Sequence, residues 1–136
     1  KSRFFVMIGD GELQEGQVWE AVMTAGHYNL HEVILLVDRN VFQGDRSTND
    51  VMALDPLKDK FLSFGWDVKS VDGHDYHELY NGLNECASDR PKAIIANTIK
   101  GKGVSFMEGD NFWHAGGKKF TKDFYEQAMR DLEGLE

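Results

Sequence analysis

The chain has 136 residues, with 15 Lys and Arg against 23 Asp and Glu, a formal net charge of −8 and 41% hydrophobic residues. This size fits a single domain with a buried core, and the acid excess argues against a nucleic-acid-binding surface. No apolar run approaches the roughly twenty residues of a membrane span. A single cysteine excludes an internal disulfide and favours a reducing compartment, so we expect a cytoplasmic protein.

Two apolar runs frame the first forty residues. Residues 4–8 form one run, which ends at the Gly-Asp-Gly motif of residues 9–11, and residues 33–37 form the other. Such runs are typical of parallel strands that are covered on both faces. Between them, the apolar positions of residues 15–27 follow helical spacing. The sequence therefore predicts strand, helix and strand, the parallel crossover unit.

The rest of the chain continues the alternation of helices and strands. A polar stretch over residues 41–55 is predicted to be a long loop, and long ordered loops in compact domains are usually functional. Helices are predicted at 57–64, 76–87 and 121–132, and strands at 66–71 and 93–98. This order predicts an α/β fold with a mostly parallel sheet and helices on both faces, in which ligands bind at the carboxyl ends of the strands.

Polar residues follow each of the first two predicted strands. Asp10 lies between Gly9 and Gly11 after the first strand, and Asn40 follows the second. Because parallel strands end at the same sheet edge, these turns should be neighbours, and their oxygens suit Mg²⁺ or Ca²⁺. The flanking glycines would let the backbone turn and a bulky anion come close. The pattern indicates a cation site facing a diphosphate, and an ordinary glycine turn with a capping asparagine stays open as the alternative.

The Gly-Asp-Gly motif followed about thirty residues later by Asn40 resembles the thiamine-diphosphate motif of the thiamine-dependent enzymes. Further blocks are similar to transketolase, especially the thiamine-diphosphate-binding N-terminal section of the split, two-subunit type. These blocks occur in the family's order and lie at residues 9–21, 55–57, 64–66, 72–75, 100–107 and 113–114.

The resemblance implies a cofactor, thiamine diphosphate, and a set of ligands for it. Asp10 and Asn40 would ligate Mg²⁺, or Ca²⁺ in its place, and the backbone carbonyl of Phe42 would be the third protein ligand. Gly9 and Gly11 would line the diphosphate, with the Gly11 N–H directed to it. In the family, the cofactor supports transfer of a two-carbon ketol unit from a ketose phosphate to an aldose phosphate, a reaction of the pentose phosphate pathway.

His114 is the catalytic and cofactor-binding residue that the resemblance adds. It is similar to the histidine that approaches the diphosphate and the reacting sugar in transketolases, where it could donate a hydrogen bond to developing negative charge. A surface-loop histidine beside Trp113 is the plainer interpretation of the same position.

The resemblance also implies partners. The strand before Asp10 lies deep inside the family's domain, so we expect residues 1–136 to be a single, partial domain of the diphosphate-binding (PP) type that lacks its upstream part. It should work with a C-terminal transketolase section, which carries the pyrimidine-binding domain, and with a second copy. An uncovered strand edge would favour that association.

Sugar phosphates are the expected substrates, and neither nucleic acid nor a membrane is an expected partner. Two alternatives stay open. One is another thiamine-dependent enzyme, of the deoxyxylulose-phosphate synthase or 2-oxoacid dehydrogenase E1 type. The other is a non-catalytic binding or assembly module with the same fold.

Overall fold

The computed structural model describes residues 2–44, 46–85, 89–114 and 119–134. Its elements in chain order are β1 (Phe4–Gly9), α1 (Gly16–His27), β2 (Val33–Arg39), β3 (Phe42–Gln43), β4 (Arg46–Ser47), α2 (Thr48–Met52), α3 (Leu57–Ser63), β5 (Asp67–Asp72), α4 (Tyr76–Asn84), β6 (Lys92–Asn97) and α5 (Lys122–Glu133). Short 3-10 helices lie at Gly11–Gln14 and Asn111–Trp113.

Four of the strands form one parallel sheet in the order β1-β2-β6-β5. The register pairs Ile34 with Phe5 on one side and with Lys92 on the other. The short strands β3 and β4 form a separate antiparallel pair. The predicted α/β architecture with a mostly parallel sheet is confirmed.

Helices cover both faces of the sheet, as predicted. On one face, α1 and α3 bury a core that includes Val22, Phe61 and Trp66 against β2 and β6. The Trp66 indole N–H donates to the carbonyl of Val22 at 2.8 Å, which ties the residue just before β5 to α1. On the other face, α4 packs Leu79 and Leu83 against a second cluster around Ile94. These packed layers fix where the carboxyl ends of the strands lie.

The first strand is not covered on both faces, so that expectation is wrong. Phe4 is 59% exposed, Phe5 57% and Met7 66%. The reason is the strand order: β1 is the edge of the described sheet, and α4 lies over β5 and β6 at the other side. The exposed apolar edge that we expected is present.

Local predictions hold better at helix starts than in the long loop. Thr121 caps α5 by accepting a hydrogen bond from the Phe124 N–H at 3.4 Å. The loop over residues 41–55 instead contains β3, β4 and α2, the last capped by the Ser47 hydroxyl, which accepts from the Asp50 N–H at 3.1 Å. Helix α4 ends at Asn84, with Glu85 as its C-cap, so it stops short of the predicted end at Ala87, a residue that itself lies outside the described residues. Among the helices described, none has the length and apolarity needed to span a bilayer.

Candidate metal and diphosphate site

The turns that follow β1 and β2 meet at one edge of the sheet. The Asp10 N–H donates to the carbonyl of Asp38 at 3.0 Å, which extends the pairing of the two strands by one residue. The Val41 N–H then donates to Asp10 Oδ2 at 2.8 Å. The carboxylate of Asp10 therefore adjoins the residue that follows Asn40, as the crossover topology predicts.

Asp10 is a buried carboxylate, with 1% of its surface exposed. Burial raises its pKa, and the nearby Asp38 carboxylate raises it further, whereas the N–H groups of Val41 and Gly11 lower it. The positive charge of Arg39 also lowers the pKa of Asp10. A carboxylate removed from water beside a second carboxylate is stabilised by a cation close to it.

The turn after β2 has a compact, specific geometry. The Phe42 N–H donates to Asn40 Oδ1 at 3.0 Å, so the asparagine side chain closes its own turn. Val41, between them, has a φ of +63°, which is rare for a β-branched residue. Asn40 and Phe42 are half-buried. The site thus contains carboxylate, amide and backbone oxygens within one pair of turns.

The glycines beside Asp10 make close approaches. The Gly9 N–H donates to Glu12 Oε2 at 2.8 Å. A Cβ on Gly11 would lie 3.3 Å from Gln43 Cγ, so even one methyl group would crowd the turn. Gln43 Oε1 is itself buried without a hydrogen-bond partner in the described structure.

These features fit the implied Mg²⁺ and diphosphate. Mg²⁺ ordinarily takes one or two carboxylates from a protein together with neutral oxygens. The buried Gln43 oxygen lacks a hydrogen-bond donor within the described structure, which a ligand could supply. Across the described ranges, no cluster of three or more His, Cys, Asp and Glu could hold a metal ion. The candidate cation site therefore rests on Asp10 with the amide of Asn40 and the Phe42 carbonyl.

The loops after β5 and β6 continue the same edge. The Thr98 hydroxyl donates to Asp38, and the Thr98 N–H donates to the carbonyl of Arg39 at 3.0 Å. Beyond it, the Ile99 N–H donates to His74 Nε2 at 2.8 Å. A cavity of about 450 Å³ opens here, lined by Asp72, His74, Asn97, Thr98, Ile99 and Lys102. All four strand ends are thus linked, which is where α/β folds bind ligands.

His114 lies in a different segment, at the end of the second 3-10 helix, with an exposed side chain. Its N–H donates to the carbonyl of Asn111 at 3.0 Å. The preceding Trp113 donates its indole N–H to the carbonyl of Phe106 at 2.9 Å and packs against Phe124 of α5. Thus the structure joins residues 9–11 to residues 40–43 directly. His114 lies on a separate loop that α5 holds. The catalytic role of His114 stays a prediction.

The same loop is also fixed by Ser105. Its N–H and hydroxyl both donate to the carboxylate of Asp131 in α5, at 2.8 and 2.6 Å. These hydrogen bonds, with one from Gln127, hold the pKa of Asp131 below its usual value. The contact makes α5 a support for the segment that ends at His114.

Sequence reasoning missed several residues of this site. Glu12 could have been found, since an acid three residues after a turn can reach back to a free backbone N–H. Asp38, at the end of an apolar run, could also have been suspected because strand ends carry ligands. The conformation of Val41 and the burial of the Gln43 side-chain oxygen depend on contacts between distant turns, so no local sequence signal predicts them.

Comparison with known proteins decides the family. Residues 1–129 match the family described as the thiamine diphosphate binding domain of transketolase. The chain belongs to this transketolase family. The resemblance found in the sequence motifs is therefore confirmed, and the domain type that binds thiamine diphosphate is established.

Proteins named as transketolase subunits are among the similar proteins. The chain is 42% identical over 131 residues to the 6-deoxy-6-sulfo-D-fructose transketolase subunit SqwG of Clostridium sp. (strain MSTE9), covering 95% of this chain and 47% of that protein. It is 40% identical over 135 residues to an apulose-4-phosphate transketolase subunit of Actinobacillus succinogenes, covering 98% and 48%. The chain spans about half the length of these relatives.

Solved transketolases share the fold. The transketolase of Campylobacter jejuni matches with a TM-score of 0.87 at 29% identity, over 98% of this chain and 21% of that one. A transketolase variant of Pichia stipitis matches with a TM-score of 0.84 at 26% identity, over 98% and 20%. The four parallel strands and their helices are therefore a transketolase arrangement.

Proposed function

We propose that this chain is part of a transketolase and supplies the Mg²⁺ and diphosphate ligands of its thiamine diphosphate site. The reaction would transfer a two-carbon ketol unit from a ketose phosphate to an aldose phosphate. The observation that carries the proposal is the hydrogen bond from the Val41 N–H to the buried Asp10 carboxylate, because it holds the two ligand-bearing turns together.

Each residue of the two turns has a distinct task in this proposal. The Asp10 carboxylate would supply the negative charge for the cation, and Asn40 Oδ1 and the Phe42 carbonyl would supply neutral oxygens. Gly11 would lie against the diphosphate, which the lack of a side chain allows to come close. Bound thiamine diphosphate supplies the carbon nucleophile that protein side chains lack.

His114 would complete the site from the loop that α5 holds. Its exposed imidazole could donate a hydrogen bond to the diphosphate or to a sugar oxygen as negative charge develops there. The contacts of Trp113 and Ser105 would keep that loop in place. The role of His114 is to orient and stabilise, while the carbon chemistry belongs to the cofactor.

The complete enzyme would need further protein. Two of the similar proteins are named as transketolase subunits and are about twice the length of this chain. We therefore propose that a C-terminal transketolase section is a partner, with a second copy of this chain in the assembly. The two similar proteins are named for a sulfonated and a phosphorylated sugar. We propose that the substrate here is likewise an acidic sugar of this size class, a sugar phosphate.

Calorimetry with thiamine diphosphate and Mg²⁺ tests the proposal. We expect metal-dependent binding when the partner section is present, and Asp10→Ala should weaken it about 100-fold or more, because removing one member of a buried charge pair costs about 3–5 kcal/mol. Asp59→Ala, in the exposed first turn of α3, is the matched control and should bind normally. Circular dichroism would verify that both variants fold.

Two outcomes would count against the proposal. Unchanged affinity in Asp10→Ala would refute the ligand assignment, even if the wild-type chain binds. Normal binding without ketol transfer in the assembled protein would instead favour a binding module that has no turnover. Repeating the titration with Ca²⁺ would show whether the site accepts the larger cation.

A further inference from the structure

Gln43 presents an unpaired polar atom at the candidate site. It lies in β3, directly after Phe42, and its side chain packs against Gly11. The position of a Cβ on Gly11 would be 3.3 Å from Gln43 Cγ and 3.5 Å from Gln43 Cδ. Gln43 Oε1 is shielded from water and has no hydrogen-bond partner in the part of the chain that the structure describes.

Such an atom is costly for the ligand-free protein. A buried acceptor without a donor loses its hydrogen bonds to water and gains none in return. An apolar side chain of similar size, such as leucine, would fill the same space against Gly11 without that loss. The glutamine is therefore better explained by a donor that arrives with a ligand than by packing.

The position of Gln43 identifies the kind of donor. Its neighbours along the chain are tied to Asp10 through the Val41 N–H, and its side chain touches Gly11. A diphosphate at neutral pH offers acceptors, so it cannot satisfy another acceptor. Mg²⁺ keeps several water molecules when it binds to proteins, and those waters are strong donors.

We infer that Gln43 is a further residue of the metal–diphosphate site, where its side chain shifts on ligand binding so that its oxygen accepts a hydrogen bond from a water molecule held by the divalent cation. This inference rests on the proposed function. It makes Gln43 a positioning residue, one that fixes the hydration shell of the cation and not the cation itself. A methyl group at residue 11 would lie 3.3 Å from Gln43 Cγ and would therefore crowd this side chain.

The experiment uses Gln43→Leu, measured with and without ligand. Without ligand, we expect a higher melting temperature than wild type, because the unpaired oxygen is gone. With Mg²⁺ and thiamine diphosphate, in the full protein with its partner section, we expect an affinity about tenfold lower, as for other residues that orient metal-bound groups. Gln43→Glu keeps an acceptor oxygen and should retain binding.

Gln14→Leu is the matched control for the same chemical change. Gln14 Nε2 donates to the carbonyl of Met52 at 2.9 Å, so its loss should lower the melting temperature and leave the affinity unchanged. The two leucine variants are thus expected to shift stability in opposite directions.

The outcomes separate this inference from the proposed function. A wild-type protein that binds Mg²⁺ and thiamine diphosphate while Gln43→Leu binds equally well would overturn the inference alone. A lower melting temperature for ligand-free Gln43→Leu would also overturn it, because the oxygen would then have a partner in the protein. A wild-type protein that does not bind would overturn the proposed function and the inference together.

Discussion

Val41 holds a backbone conformation that β-branched residues avoid. Its φ of +63° costs about 1–2 kcal/mol for a residue with a Cβ. The conformation is imposed from both sides, since the Val41 N–H bonds to Asp10 and the following Phe42 N–H bonds to Asn40. The strain therefore accompanies the joining of the two turns that form the candidate site.

Val41→Gly should relieve this strain. The valine side chain is 41% exposed, so little packing is lost, and the left-handed conformation is open to glycine. Glycine also loses more conformational entropy than valine on folding, which offsets part of the relieved strain. We therefore expect a net gain of about 0.5 kcal/mol in the free energy of unfolding, measured with urea. Val51→Gly, at a residue of α2 that is 46% exposed, should lose about 0.5–1 kcal/mol. Equal losses in both variants would show that Val41 carries no strain.

At the scale of elements, α1 is positioned by a close approach at Gly26. A Cβ on this residue would lie 1.9 Å from the carbonyl oxygen of Phe64, at the end of α3. The buried Trp66, just before β5, anchors the same contact by its hydrogen bond to Val22. The absence of a side chain at residue 26 lets α1 pack directly onto the turn between α3 and β5.

Gly26→Ala should therefore be strongly destabilising. The clash is with backbone, which cannot rotate away as a flexible side chain could, so we expect a loss of about 2 kcal/mol or more on thermal or urea unfolding. Gly16→Ala is the control, because a Cβ there meets nothing within 4 Å and alanine is the better helix former. It should gain up to about 0.5 kcal/mol, less than at an interior position, because Gly16 is the first residue of α1. A mild effect at Gly26 would mean that α1 can shift at little cost.

Elements fixed by local signals were predictable, and those fixed by distant contacts were not. The first crossover unit follows from apolar runs and helical spacing, and the α5 start from Thr121 as cap. By contrast, β3 and β4 have two residues each, too few for a pattern. Parallel topology alone predicts that Asp10 and Asn40 lie at the same edge of the sheet. The unpaired oxygen of Gln43 arises only when its turn packs on Gly11, so sequence could not reveal it.

At the scale of the whole molecule, the central strands of the sheet are well packed and its β1 edge is not. Strands β2 and β6 are buried between helices, whereas β1 carries the exposed side chains Phe4, Phe5 and Met7. A groove of about 580 Å³ between β1 and α1 adds further apolar surface, including Val6 and Ile8. An apolar strand edge of this kind is a template for pairing with another chain.

We expect the isolated chain to associate with a second copy through β1, and Phe5→Lys to weaken that association. Phe5 is 57% exposed, and burying a phenylalanine contributes about 1.5–3 kcal/mol, so a lysine there should raise the dissociation constant about tenfold or more in sedimentation equilibrium. Tyr76→Lys, at an 86% exposed site on α4, adds the same charge away from the edge and should leave association unchanged. Equal weakening by both variants would point to net charge, and not the β1 edge, as the cause.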